Sequence, residues 1–216
     1  MPSVTRKPQG GREVGREHRR GQIERRLLEA TERLMRDGAS FTELSVDRLS
    51  TEAGISRASF YIYFEDKGHL LRRLANQVFE DLTTGAERWW GVAWRHNPDD
   101  VRAAMAAIIA SYRRHQPVLV ALNEMAAYDP PTAQTYRELL SAISGRLSQI
   151  ITDGQAVGSV REELPPGTTA SALTWMVERA CQQELPPNPP EYDAELASTL
   201  AEIVWGALYL ERASPL

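Results

Sequence analysis

Side chains able to bond phosphates and base edges follow closely on one another in residues 56–64. This segment reads Ser-Arg-Ala-Ser-Phe-Tyr-Ile-Tyr-Phe and carries hydroxyls, phenols and a guanidinium. These are the groups that contact nucleic-acid backbones and base edges. If the segment is helical, Phe60 and Phe64 lie four residues apart and hold one face on a core. The outer face then presents Arg57, Ser59, Tyr61 and Tyr63.

The preceding residues predict how this helix is positioned. Ser45 is a suitable N-cap for a first helix that runs to about residue 52, with Val46 and Leu49 facing inward. The turn is Ala53-Gly54-Ile55, in which glycine can take a positive φ without steric cost. Ser56 then caps the second helix. The pattern is typical of a helix-turn-helix whose second helix reads DNA.

A plain helical corner without any role in DNA binding is the alternative. It accounts for the apolar spacing, for the glycine and for both caps. It does not account for the guanidinium, the hydroxyl and the two phenols on the outer face of one short helix. The residue chemistry therefore favours DNA binding.

Four short motifs extend this interpretation by resemblance. They are Ser45-Val46-x-x-Leu49, Ala53-Gly54-Ile55-Ser56, Phe60-Tyr61-x-Tyr63-Phe64 and Lys67. Together they resemble the N-terminal signature of the TetR family of transcriptional regulators, over residues 22–71. The resemblance implies a cytoplasmic repressor that binds a palindromic operator as a homodimer and is released by a small hydrophobic effector. It also implies that Lys67 lies beside the DNA backbone, and Ser45 is a further candidate for a backbone contact.

Composition fits this class once the charge is divided along the chain. The 216 residues are 42% hydrophobic and 25% charged, which is ordinary for a soluble globular protein. The net charge of −4 divides into +5 over residues 1–26, which have eight basic and three acidic groups, −2 over 27–72 and −7 over the remainder. A basic end joined to an acidic body predicts nucleic-acid binding at one end only. No apolar run approaches the roughly 18 residues of a membrane span, and the single cysteine, Cys181, is expected to be buried.

The fold class expected from the whole chain is all-α, in three parts. Residues 1–20 lack apolar periodicity and are expected to be a disordered basic arm, either a DNA-contacting arm or a solvated tail. Residues 21–68 form the helix-turn-helix domain, whose first helix buries Ile23, Leu27, Ala30 and Leu34. Residues 69–216 form a helical ligand-binding and dimerisation domain, with breaks expected before Pro117, at Pro130-Pro131, at Pro165-Pro166-Gly167 and through residues 185–190.

Apolar stripes on the last two helices, residues 168–183 and 193–212, predict a dimer interface. Their members recur at steps of three and four, as in a helical bundle. Packing within one chain is the alternative, but helix-turn-helix proteins commonly bind paired half-sites about 34–36 Å apart, which favours a two-fold dimer. The expected interface residues are Leu173, Ala180, Leu196, Leu200, Ile203, Ala207 and Leu210.

A ligand pocket follows from resemblance more than from composition, since cores bury aromatic residues routinely. The body loosely resembles the ethionamide-resistance repressors, a branch of the same family, through Met176-x-Glu178-Arg179 and Ile203-x-Trp205. Those repressors have a long apolar pocket. Matching positions predict a lining of Ile108, Tyr112, Tyr136, Leu140, Ile143, Thr174, Val177 and Trp205. Thr174 and Val177 replace amides of the relatives, so the pocket is expected to be more apolar.

Catalysis and metal binding find no support in the sequence. The four histidines, His18, His69, His96 and His115, never fall at metal-ligand spacing. No glycine-rich phosphate loop or nucleophile elbow is present. We therefore expect no enzyme activity and no cofactor. Two other classes stay open: an architectural protein that binds DNA regardless of sequence, and a helical ligand-binding protein without a specific operator.

Overall fold

The computed structural model describes residues 10–91 and 97–209, and these residues form eight α-helices without β-strands. The all-α prediction is confirmed. The chain divides into two compact units, one ending at Leu74 and the other beginning at Ala75. The sequence had suggested a boundary at residue 68, near the start of the fourth helix. The helices are α1 Gly10–Arg36, α2 Val46–Glu52, α3 Arg57–Tyr63, α4 Lys67–Trp90, α5 Pro98–Ala126, α6 Pro130–Ala156, α7 Pro166–Glu184 and α8 Asp193–Leu208.

The first helix begins earlier than the apolar pattern indicated. Residues 10–20, expected to belong to a disordered arm, are helical, while residues 1–9 lie outside the described part of the chain. No proline follows Pro8 in this stretch, and arginine and glutamate are good helix formers. Pairs four residues apart add support, with His18 to Gln22 at 2.9 Å and Arg20 to Glu24 at 3.2 Å. Charged helix formers therefore extend the helix beyond its apolar stripe.

A small apolar core holds the N-terminal unit together. Its members are all at most 1% exposed, namely Leu27, Phe41, Leu49, Phe60 and Phe64. The stripe predicted for α1 is buried as expected. Phe60 and Phe64 pack with ring centroids 5.2 Å apart. This core fixes α3 from its inner side and leaves its other side to solvent.

The predicted helix break before Pro117 is wrong, because α5 continues through this residue. It is one helix of 29 residues with Pro117 inside it. An interior proline removes one backbone hydrogen bond and costs about 3 kcal/mol. The residues just after it, Val118, Leu119, Ala121 and Leu122, are buried. Burial of these apolar side chains offsets the local cost, and such a tertiary effect is not visible in a proline-based rule.

In the second unit, α5 packs against α6 and α8, and α6 packs against α7. The proline-rich segment after α7 leaves the helix as predicted and continues into a short 3-10 helix, Pro190–Tyr192. Arg113 of α5 holds this segment, because its guanidinium donates to the carbonyl of Asn188 at 3.1 Å and pairs with Asp193. No helix in the described part of the chain is long and apolar enough to cross a membrane.

Candidate nucleic-acid interface and apolar cavity

Serine side chains cap both helices of the predicted DNA-binding motif, α2 and α3, which is called the reader below. The Ser45 hydroxyl accepts a hydrogen bond from the Arg48 amide at 3.1 Å. The Ser56 hydroxyl likewise accepts from the Ser59 amide at 3.0 Å. Both serines are exposed N-caps, as the sequence predicted. These bonds satisfy amides that the first turn of each helix leaves without a partner.

Gly54 makes the turn between the two helices. Its φ is +63°, and it lies in a Schellman motif: its amide donates to the Thr51 carbonyl at 3.0 Å and the Ile55 amide donates to the Ser50 carbonyl at 2.9 Å. The Gly54 carbonyl in turn accepts from Arg26 Nη2 at 2.7 Å. The geometry of the turn, and with it the direction of α3, therefore depends on a residue that tolerates positive φ.

Replacing Gly54 with alanine is expected to lower the free energy of unfolding of the N-terminal unit by about 1–2 kcal/mol, the cost of a left-handed non-glycine residue. The new Cβ would also lie 2.6 Å from Arg26 Nη2 and displace that side chain. Urea unfolding followed by far-ultraviolet circular dichroism measures the change. Gly21→Ala is the control, because that helical site is open and should gain roughly 0.5–1 kcal/mol. A stabilising Gly54→Ala would contradict this account of the turn.

The outer face of α3 carries most of the predicted contact residues. Tyr61 is 48% exposed, and Arg57 is exposed beside it, with its guanidinium carbon 5.7 Å from the Tyr61 ring centroid. Arg57 also pairs with Asp47 of α2 at 2.9 Å. Its pKa is raised, first by the Tyr61 hydroxyl and then by the Asp47 charge. Exposed ion pairs contribute little, so the guanidinium can exchange Asp47 for another acceptor at small cost.

Ser59 and Tyr63 are less available than Arg57 and Tyr61. Both are half-buried, and the Ser59 hydroxyl lies 2.9 Å from the Ser56 hydroxyl. Sequence reasoning missed Ile62, which is 69% exposed on α3. The spacing alone indicates that Ile62 is exposed. It lies two positions from both Phe60 and Phe64, so in a helix it cannot share their inward face. An exposed isoleucine there can make an apolar contact with a thymine methyl group.

Lys67 has a different environment from the one the resemblance implied. Its ammonium donates to the carbonyls of Thr42 at 2.8 Å, Leu44 at 2.7 Å and Phe41 at 3.3 Å. An ammonium has three donors, and all three are used within the N-terminal unit. Burial lowers the pKa of Lys67. In this arrangement Lys67 closes the loop before α2, and a phosphate would have to compete with three carbonyls.

The second unit contains an apolar cavity of about 900 Å³, counting its opening to solvent. Seven of the eight predicted lining residues surround it, namely Ile108, Tyr112, Tyr136, Leu140, Ile143, Thr174 and Val177. Residues that the sequence did not single out complete the wall, among them Phe79, Leu82, Met105 and Leu147.

Trp205 is the predicted lining residue that lies elsewhere. Its ring packs on Tyr209, with centroids 4.4 Å apart, while the preceding residue, Val204, faces the cavity. Adjacent helical residues point about 100° apart, so an error of one position in a distant resemblance moves a side chain off the wall. Trp175 is 40% exposed and does not line the cavity, and its ring meets the Tyr136 ring edge-on with centroids 6.4 Å apart.

Three hydroxyl or thiol groups at the cavity stay protonated. Burial raises the pKa of Tyr112 and of Tyr136, and the charge or hydrogen bond of Glu178 raises both further. Burial, followed by Glu178, raises the pKa of Cys181 to about 12. Cys181 is 1% exposed, as expected of a structural thiol. In the described ranges, no three His, Cys, Asp or Glu side chains group as a metal site requires.

The predicted interface stripe divides between core and surface. Leu173, Leu196 and Leu200 are buried within the chain, and Leu173 lines the cavity. Ala180 and Ala207 are half-buried, Ile203 is 46% exposed, and Leu210 lies outside the described residues. The alternative of packing within one chain therefore accounts for the three leucines. A step of three and four marks an apolar helix face, but it does not distinguish a face covered by α5 from one covered by another protomer.

The fold and the exposed face of α3 together define a helix-turn-helix regulator, and its second unit contains an apolar cavity. Residues 27–74 match the model for bacterial regulatory proteins of the tetR family, and residues 95–182 match a tetracyclin repressor-like C-terminal domain. The chain belongs to the TetR family and is a transcriptional regulator.

Similar proteins and solved structures cover 85% or more of this chain. The HTH-type transcriptional regulator EthR of Mycolicibacterium smegmatis is 26% identical over 212 residues, which cover 96% of this chain and 94% of that protein. EthR of Mycobacterium tuberculosis is 27% identical over 196 residues, 86% of each chain. Among solved structures, PfmR of Thermus thermophilus has a TM-score of 0.64 at 22% identity and covers 87% of this chain and 100% of its own. FadR of Bacillus subtilis, in complex with stearoyl-CoA, has a TM-score of 0.67 at 14% identity, with 85% and 98% covered.

Proposed function

We propose that this regulator is a repressor that binds a palindromic operator as a homodimer and releases it when a small hydrophobic effector enters the body. The observation that carries the proposal is the geometry of α3. Phe60 and Phe64 are buried and fix one side, while Arg57, Tyr61 and Ile62 are exposed on the other. A short helix with one buried and one polar, exposed face suits a major groove.

Within α3, Arg57 and Ser59 are assigned to base edges, Ile62 to a thymine methyl group, and Tyr61 and Tyr63 to phosphates. Ser45 and Ser56 lie at the helix starts and are further candidates for phosphate contacts. Lys67 is assigned mainly a structural role, because its donors hold three loop carbonyls. Phosphate contacts position the helix and base contacts give it specificity.

Selection of bound fragments from a sheared genomic library tests the proposal. The protein is used at about physiological salt, because affinity for DNA depends steeply on ionic strength. Recovery of one palindromic sequence supports a specific dimeric regulator, and the neighbouring genes suggest the effector. Recovery of many unrelated fragments would instead favour an architectural DNA-binding protein.

Two exposed apolar side chains on the last helices support the dimer. Trp175 on α7 and Ile203 on α8 are 40% and 46% exposed. Large exposed apolar groups mark interaction surfaces when they form part of a patch. The interface is therefore assigned to the solvent-facing sides of α7 and α8, with Ile203, Ala180 and Ala207 retained from the predicted set and Trp175 added.

Sedimentation of the purified protein at micromolar concentration is expected to give a dimer, twice the 24.2 kDa of one chain. The double variant Trp175→Glu with Ile203→Glu is expected to sediment as a monomer, since two charges would enter an apolar interface. Val157→Glu is the matched control, because Val157 is 70% exposed at the end of α6. A wild-type protein that sediments only as a monomer would contradict the dimer.

The cavity is assigned to the effector. In FadR of Bacillus subtilis the bound molecule is stearoyl-CoA, and a long apolar chain also suits the lining found here. Effector binding would release DNA by shifting the dimer toward a state whose two α3 helices no longer match the half-site spacing. Such a shift requires the effector to bind that state more tightly than the DNA-binding state.

Val177→Trp is expected to fill part of the cavity and weaken binding of an apolar probe, 1-dodecanol, while leaving operator binding unchanged. Excluding two or three methylene groups, each contributing about 0.8 kcal/mol, lowers affinity roughly 10- to 100-fold. Calorimetry measures the probe, and fluorescence anisotropy measures the operator. Val157→Trp places the same ring on the surface as a control. Equal affinity of wild type and Val177→Trp for the probe would remove the cavity from the account.

A further inference from the structure

One carboxyl group reaches the otherwise mostly apolar wall of the cavity. Glu178 of α7 lines it, and the side chain is only 9% exposed. Its Oε1 accepts a hydrogen bond from the hydroxyl of Tyr136. Its Oε2 is buried and has no hydrogen-bond partner in the described part of the chain. One oxygen of a buried carboxylate is thus left to be satisfied by something else, since buried polar groups are nearly always bonded.

The neighbouring side chains do not satisfy this oxygen. Arg179 Nε forms an ion pair with Oε2 at 4.0 Å, but this distance is too long for a hydrogen bond, and the Arg179 side chain is more than half exposed. Another nitrogen of the same guanidinium donates to Gln182. The phenol of Tyr136 keeps its proton, because burial and Glu178 raise its pKa, so it remains the donor to Oε1. The open position is therefore at Oε2.

A hydroxyl group without a hydrogen-bond partner, able to donate or to accept, lies one helical turn away. Thr174 is four residues before Glu178 on α7 and also lines the cavity. Its Oγ1 is buried and without a hydrogen-bond partner in the residues described. Residues four apart lie on the same side of a helix. Glu178 Oε2 and Thr174 Oγ1 belong to lining residues on the same side of α7, and both can accept from a hydrogen-bond donor with positive charge.

We propose that the effector is an elongated apolar molecule that ends in a protonated amine. Its ammonium donates to Glu178 Oε2 and Thr174 Oγ1, and its alkyl chain packs on Leu140, Ile143 and Leu147. An ammonium has three donors and no acceptor, which matches two acceptors and a carboxylate charge. A fatty-acid carboxylate would place a like charge beside Glu178. This inference rests on the proposed use of the cavity as the effector site.

Calorimetry on the full chain tests the proposal with three probes of equal chain length, dodecylamine, 1-dodecanol and dodecanoate, each kept below its self-association concentration. Dodecylamine is expected to bind at least about tenfold more tightly than 1-dodecanol, as for a buried charge-assisted hydrogen bond, and dodecanoate more weakly than both. Glu178→Gln keeps the shape but removes the charge. It should abolish the preference for the amine and leave the affinity for the alcohol within about threefold.

Two further variants make the result specific. Glu138→Gln, at an exposed position on α6, removes the same charge from the surface and should retain the amine preference. Thr174→Val removes the second acceptor and should reduce the preference in part, which keeps the test available if Glu178→Gln does not fold. Loss of the preference in Glu138→Gln would overturn the assignment, because the effect would then be long-range.

The outcomes separate this inference from the proposed function. If 1-dodecanol binds but dodecylamine binds no more tightly, or if Glu178→Gln keeps the preference, the amine proposal is overturned and the effector cavity stands. If none of the three probes binds, the effector part of the proposed function falls together with the inference. Operator selection still decides the DNA-binding part in that case, since it uses protein without ligand.

Discussion

Arg57→Ala is expected to lower affinity for the selected operator by about 5- to 150-fold, the loss of roughly 1–3 kcal/mol for a bidentate base contact. Arg57 is exposed on α3 and oriented by Asp47 and Tyr61, so its guanidinium is presented before DNA arrives. The discrimination against a scrambled duplex should fall by a similar factor. Fluorescence anisotropy titrations at one fixed salt concentration measure both quantities.

Arg102→Ala is the matched control for Arg57→Ala. Arg102 is a surface arginine of α5 paired with Asp99 at 2.6 Å, so the same charge is removed from the other compact unit. Arg102 also lies 3.4 Å from Glu202. The operator affinity of Arg102→Ala should stay within about twofold of wild type, because Arg102 is not part of the face of α3 assigned to DNA. Equal losses in the two variants would mean that net charge, and not the face of α3, determines binding.

Phe60→Ala is expected to lower the free energy of unfolding of the N-terminal unit by about 3–5 kcal/mol, the usual cost of removing a buried phenylalanine ring. Phe60 is completely buried and contacts the rings of Tyr61 and Phe64. Whole domains are stable by only about 5–15 kcal/mol, so this loss should unfold the reader early and abolish operator binding.

The positions of the tryptophans allow unfolding of the two units to be followed separately in Phe60→Ala. All five tryptophans, at positions 89, 90, 94, 175 and 205, follow residue 75 in the sequence, and the described side chains of Trp90, Trp175 and Trp205 belong to the second unit. In urea, the variant should lose part of its far-ultraviolet circular dichroism before its tryptophan fluorescence changes. Ile62→Ala, on the exposed side of the same helix, should unfold like wild type. Coincident, unshifted transitions in Phe60→Ala would contradict the core assigned to the reader.

The helix-turn-helix could be predicted closely because its signals are local. Ser45 and Ser56 cap, Gly54 takes positive φ, and Phe60 and Phe64 recur at one helical turn; each depends on neighbours within a few residues. The same local logic explains Ile62, which was overlooked although its spacing excluded it from the core. Positions fixed by backbone geometry and short spacing are those that a sequence specifies most directly.

Features that depend on distant contacts could not be predicted in the same way. Pro117 lies inside α5 because the residues after it are buried, and Leu196 and Leu200 are covered by their own chain instead of a partner. The three carbonyls held by Lys67 come from residues 23 to 26 positions earlier in the chain. Seven of the eight residues expected around a pocket lie at the cavity, and Trp205 does not, because one residue of register decides which side chain faces inward.

Specific binding is measured by the ratio of affinities for the selected palindrome and for a scrambled duplex of the same length, at about physiological salt. For a sequence-specific dimeric regulator we expect a ratio of roughly 10³ or more for wild type, with two chains bound per palindrome. A ratio near one, combined with a steep dependence on salt, would contradict this expectation and identify a DNA-binding protein that does not read sequence.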